Sequence, residues 1–193
     1  MDTITMRNRA FPVGIAISSL LLTLPVQAQT TSTNGKLWQF ASGTGNILFL
    51  GVGLARPLLG TGKDRWERTG RGLDALAVSS LLTQGLKDLT HEERPDHSSR
   101  DSFPSGHASA AFTVAMMESQ YHRREAPLWF LGAALIGDSR IRLNRHYPHD
   151  VLAGAAIGYG TARIELSQPN GLLTAPFIQR DAQGRWISFS VHF

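Results

Sequence analysis

The sequence predicts an all-α fold, a helical bundle of about five or six helices that ends in a short C-terminal β-hairpin. Two patterns predict it. Between about residues 36 and 167, apolar residues recur at helical spacing in five stretches separated by polar or proline-bearing segments. Only after Leu172 does the period change to two, with Ile187, Phe189, Val191 and Phe193 alternating with Ser188, Ser190 and His192.

The chain opens with Arg7 and Arg9, an apolar run from Phe11 to Val26, and the small residues around Ala28. That order of basic, apolar and small predicts a cleaved secretory signal peptide over 1–28 and an exported, periplasmic product. The run is shorter than the roughly 20 residues of a spanning helix and contains Pro12, Gly14 and Pro25. Residues 29–193 then form a single domain. Lys36–Leu59 is apolar but dotted with glycines and reads as helix, and Gly60–Gly72 reads as a charged surface connection. A helix follows over about 71–89, where Leu73, Leu76, Ala77, Ser80, Leu81 and Gln84 share one face. Thr90–Phe103 is polar, carries Pro95 and reads as a loop. Further helices cover about 106–125, 127–144 and 148–167, the last opening at Pro148, which suits a first helical turn. Residues 172–193 supply the hairpin, with a turn at Asp181–Gly184. Packing of its apolar face on the helices is expected, and peripheral membrane contact is the alternative.

Composition narrows the function. Nineteen Lys and Arg against fifteen Asp and Glu give a charge of +4, a mild excess that suits an anionic substrate and excludes a nucleic-acid-binding arm. The absence of cysteine excludes disulfides and thiolate metal sites. The apolar stretches Ile47–Leu59, Leu73–Leu86, Pro127–Gly137 and Val151–Gly160 fall short of about 18 unbroken residues, and read as core helices of a soluble domain.

Three clusters carry chemistry: Lys87 with Arg94-Pro95, Pro104-Ser105-Gly106-His107 at a loop-to-helix junction, and Ser139-Arg140 followed by His146 and Asp150. Singly, each has a local explanation as a helix-end charge or a cap. Together, Lys87, Arg94 and Arg140 supply three cations, two with planar forks that match phosphate oxygens. Ser105 and the backbone N–H groups of Gly106 and His107 add donors at a helix N-terminus. His107 and His146 are able to move protons near neutral pH. Asp150 is placed to accept the Nδ1–H of His146 and leave Nε2 as a nucleophile.

Lys87-x6-Arg94-Pro95, Pro104-Ser105-Gly106-His107 and Ser139-Arg140-x5-His146-x3-Asp150 resemble the three-part signature of the type 2 phosphatidic acid phosphatase (PAP2) superfamily. That superfamily includes bacterial nonspecific acid phosphatases and lipid phosphatases, and shares its site with vanadium haloperoxidases. The resemblance implies a helical bundle with the site among four helices and hydrolysis of phosphate monoesters without a metal or other cofactor. His146 would be the nucleophile, Asp150 its orienting partner, and His107 the acid and base. Lys87, Arg94, Ser105, Gly106 and Arg140 would hold the phosphoryl oxygens, and vanadate would act as an inhibitor that mimics the transition state. Small phosphomonoesters are the substrates expected of an exported phosphatase. The alternative is a lipid phosphate or lipid-linked diphosphate at a membrane surface. Vanadate-dependent halide oxidation and non-catalytic phosphate binding are the lesser readings. His91, Glu92, Glu93, Asp96 and His97 match no helical metal-ligand spacing, and no metal site is expected there.

Overall fold

A computed structural model describes residues 33–169, 171–173, 178–180 and 186–188; the predicted signal peptide over 1–28 lies outside them. Six α-helices lie among the described residues: α1 (Thr33–Phe40), α2 (Asn46–Leu59), α3 (Arg65–Thr90), α4 (Gly106–Tyr121), α5 (Ala126–Arg142) and α6 (Pro148–Ser167). A π-helical turn, Ala41–Gly45, joins α1 to α2, and a 3-10 turn, Arg123–Glu125, precedes α5. Ile178–Arg180 (β1) pairs antiparallel with Trp186–Ser188 (β2), Gln179 facing Ile187; the rest of the predicted hairpin lies largely outside the described residues.

Helix α4 is the axis of the bundle, packed by α2, α3, α5 and α6. Its buried residues are mostly small (Ala108, Ser109, Ala111, Thr113, Ala115), which lets neighbours approach closely. The tightest seam is with α6. A Cβ on Gly154 would lie 2.3 Å from the Ser105 carbonyl oxygen, and one on Gly158 would lie 2.1 Å from that of Ser109. Only glycine permits that contact. The seam brings the N-terminus of α6 beside that of α4, where the Ser105 N–H donates to the Asp150 carbonyl at 3.0 Å. On the other flank Trp129 packs edge-on against Phe49, within a core of Ala111, Val114, Ala115, Ala133 and Ile136.

Two expectations are corrected. Helix α3 begins at Arg65, so most of the connection expected over Gly60–Gly72 is helical. Tertiary contacts override the glycines: Gly72 is buried against Leu54, Arg68 stacks over the Tyr121 ring, and Arg71 pairs with Glu165. The second correction concerns which face of α3 is inside. Leu73, Leu81, Leu82 and Leu89 are exposed, while Gly72, Asp74, Ala75, Ser79 and Thr83 are buried. The small and polar side chains fit against α4, where the Thr113 hydroxyl meets that of Ser79 at 3.0 Å. Among the described residues, fifteen buried polar or charged side chains outnumber twelve buried apolar ones. Exposed leucines and isoleucines lie on α2, α3, α5 and α6, so these are not core helices in the sense the sequence suggested. No described helix is long and apolar enough to cross a membrane.

Candidate active site

The site forms where α3 and α5 end and α4 and α6 begin. Lys87 comes from the last turns of α3 and Arg94 from the loop after it. Ser105 caps α4, with Gly106 and His107 in its first turn. Arg140 lies near the end of α5, and His146 follows a turn in which Asn144 adopts a left-handed conformation (φ 53°). The Arg140 carbonyl accepts from the N–H groups of Arg145 (2.9 Å) and His146 (3.3 Å), folding the chain back so that His146 is buried. Asp150 sits in the first turn of α6, fully buried.

The electrostatics show that these groups form one cluster. Burial, with the added repulsion of Arg140, Lys87 and Arg94, lowers His146 to about 4 against the opposing pull of Asp150. His107 is lowered to about 4 by burial and the same three cations, opposed by a hydrogen bond to the Ser42 backbone. Arg140 is itself lowered to about 10 by burial and by Arg94 and Arg145. Burial also lowers Lys87, against the pull of Asp101. A fixed site with that much uncompensated positive charge is built for an anion. The Nε atoms of Arg94 and Arg140 are buried without a hydrogen-bond partner, and helix geometry leaves the first N–H groups of α4 without intrahelical carbonyls.

The orienting partner of His146 differs from expectation. Its Nδ1–H donates to the Ser102 carbonyl at 2.8 Å, and Asp150 Oδ2 is farther, at 3.5 Å. Asp150 Oδ2 instead accepts from the Ser102 hydroxyl at 2.5 Å and the Tyr147 N–H at 2.9 Å. The loop threads between the two residues, so Asp150 fixes Ser102 and Ser102 fixes the imidazole. Either way Nδ1 carries the proton and the Nε2 lone pair is free. The Ser105 hydroxyl is buried and caps α4 by accepting from Ala108 N at 3.5 Å, which leaves its own O–H hydrogen available to donate.

Three contributors carried no motif in the sequence. Ser42, on the π-helical turn, bonds Arg140 through its hydroxyl. Asp101 bridges Arg94 (3.0 Å) and Lys87 (4.0 Å). Ser102 is the third. The polarity of Thr90–Phe103 pointed to a loop but could not single out Asp101 or Ser102, and nothing near Ser42 pointed to the site.

The model of the PAP2 superfamily matches residues 73–172, just over half of the chain and every motif position named above. The chain belongs to the PAP2 superfamily. Its relatives include the lipid A 1-phosphatase of Porphyromonas gingivalis, 39% identical over 104 residues that make up 50% of this chain and 23% of that protein. Another is the putative undecaprenyl-diphosphatase YbjG of Escherichia coli, 34% identical over 95 residues, 44% of this chain and 48% of that protein. The chain thus spans between about a quarter and a half of these relatives' length. The crystal structure of Aquifex aeolicus LpxE resembles this PAP2 chain with a TM-score of 0.50 at 26% identity, over 69% of this chain and 94% of that one. PAP2 family phosphatases hydrolyse phosphate esters.

Proposed function

We propose that this PAP2 chain hydrolyses the phosphate or diphosphate of a lipid at a membrane surface, through a phosphohistidine on His146 and without a metal. The observation that carries the lipid substrate is the inside-out distribution of side chains. Leucines of α2, α3, α5 and α6 face outward while Ser79, Thr83, Thr113 and Asp150 face inward, the arrangement that suits an apolar surrounding. The expectation of small soluble phosphomonoesters rested on an exported product without spanning segments; the outward leucines favour the lipid alternative over it. The relatives named as lipid A and undecaprenyl phosphatases agree with the lipid reading.

In the proposed reaction Lys87, Arg94, Arg140 and the N–H groups of Gly106 and His107 hold the equatorial phosphoryl oxygens. His146, neutral above about pH 4, attacks phosphorus through Nε2. As the N–P bond forms, the bond to the leaving oxygen breaks and that oxygen takes a proton from His107. A water then gives its proton to His107 and attacks phosphorus, releasing inorganic phosphate and neutral His146. A bound phosphoryl dianion offsets the cations that depress His107 and so favours its protonated form.

The test compares a short-chain lipid phosphate in detergent micelles with a chromogenic aryl phosphate, both in chelator, using the intact chain and His146→Ala. Lipid turnover at least about tenfold more efficient, lost by about 10⁴-fold or more in the variant, is expected. Preference for the aryl phosphate would overturn the lipid assignment, and an active His146→Ala would overturn the nucleophile.

A further inference from the structure

Beside the catalytic cluster, and sharing Asp150 with it, lies a second one whose other members, Glu92 and His149, the proposed chemistry does not use. His149 Nε2 is 2.9 Å from Glu92 Oε1 and 3.0 Å from Asp150 Oδ1, and the three atoms lie within 4.8 Å of one another. We propose that Glu92, His149 and Asp150 form a binding site for a divalent transition-metal ion, Zn²⁺ being the best match. It adjoins the phosphoryl site through Asp150 and takes no part in the phosphoryl transfer.

The argument turns on hydrogen count. Nε2 carries at most one hydrogen, and it points to Glu92. Asp150 Oδ1, on a fully buried side chain, is left without a hydrogen-bond donor although His149 stands beside it. A buried carboxylate oxygen without a donor is costly. Protonating His149 does not help, since the added proton goes to Nδ1 on the other side of the ring. A cation does what a proton cannot: it takes the Nε2 lone pair and both carboxylate oxygens at once, and two carboxylates balance its charge. One imidazole and two carboxylates are zinc ligands, at about 2.0–2.2 Å from the metal. Tetrahedral ligands at that range stand about 3.3 Å apart, so the two carboxylate oxygens need to move from Nε2 by only a few tenths of an ångström.

The surroundings are those of a built site. The His149 ring stacks on Tyr147 (5.4 Å between centroids, 7° between planes) and against Phe103 (6.0 Å, 30°), which fixes the aim of Nε2. Asp150 is held from its other oxygen by Ser102 and Tyr147, the kind of outer support that orients a metal ligand. Glu92 and His149 are partly exposed, leaving an open side for entry and for a water as fourth ligand. The ion would staple the loop after α3 to the start of α6. The ligands are 57 residues apart in sequence, which is why no spacing motif announced them.

The test uses the intact chain freed of metal by chelator and dialysed, titrated calorimetrically with Zn²⁺ and followed by the visible absorption of Co²⁺. His149→Ala and Glu92→Gln are titrated in parallel, both altering side chains outside the packed core, with thermal melts of the metal-free proteins to confirm folding. One saturable Zn²⁺ site with a Co²⁺ band is expected in the parent, with affinity at least about tenfold weaker in each variant. The parent should also melt higher with Zn²⁺ than without. Absence of saturable binding up to millimolar Zn²⁺ would overturn the proposal. So would unchanged affinity in both variants, which would place the ion elsewhere, such as the exposed His97–Glu93 pair.

Discussion

The two ends of the bundle both bury charge, and they treat it in opposite ways. At the end where α4 finishes, the half-buried Arg56 and Arg71 each have carboxylate partners. Arg56 is held by Glu125 at 2.7 Å and lies 3.5 Å from Glu118. Arg71 bonds Glu165 at 3.1 Å and the Gln168 carbonyl at 2.6 Å. Glu165 and Asp74 in turn accept from the N–H groups of Leu172 (2.8 Å) and Leu173 (3.0 Å), fastening the chain beyond α6. At the end where α4 begins, Lys87 and Arg94 share one carboxylate, Asp101, and Arg140 meets a hydroxyl. At the far end burial raises Glu118 to about 7 and also raises Glu165, whereas the near end lowers its imidazoles. Charge matched within the fold holds the fold; charge left in surplus waits for a ligand.

That contrast can be broken by exchanging one arginine at each end. Arg140→Ala should reduce kcat/KM by about 10²–10³-fold and weaken vanadate inhibition in parallel, with Tm little changed. Arg71→Ala should do the reverse. It leaves the buried Glu165 and two carbonyls uncompensated, costing about 3 kcal/mol and lowering Tm by about 6–12 °C, with turnover at 25 °C retained. Equal effects of the two on activity would show that the ends are not functionally distinct.

A smaller effect sharpens the near end. Ser102→Ala removes the hydroxyl between Asp150 and the carbonyl that orients His146. Because Ser102 is assigned no contact with substrate, kcat should fall about tenfold while KM holds, about 1.4 kcal/mol of orientation lost. A rise in KM at constant kcat would instead make it a binding residue.

The smallest effect belongs to the far end. Glu118 is raised from 4.5 to about 7, so its stabilisation is fully present below pH 4.5 and is lost as pH rises through 7. Glu118→Gln keeps the neutral form at every pH, and Arg56 retains Glu125. The Tm of the variant relative to the parent should therefore climb by a few degrees between pH 5 and 8. His107 and His146 act in the other direction in both proteins: lowered to about 4, they stabilise above pH 6.5 and cease to do so as pH falls through 4. A melting series with a constant difference between variant and parent would remove Glu118 from this role.

Local pattern was enough to place the helices whose ends carry strong signals. Pro148 opens α6, and Ser105 caps α4 after Pro104. It also determined the motif residues, because Lys87, Arg94, His107, Arg140, His146 and Asp150 stand at fixed spacings that helices bring to one end. Tertiary structure decided what no local pattern encodes. It set which face of α3 is buried, since 3.6-residue periodicity marks a stripe of leucines but not the medium they face. It brought Ser42 to Arg140 across 98 residues, and put the Ser102 carbonyl, not Asp150, against His146 Nδ1. It also joined Glu92 to His149. Each of these depends on where a loop or turn from one part of the chain meets a helix from another, and spacing within a segment carries no record of that meeting.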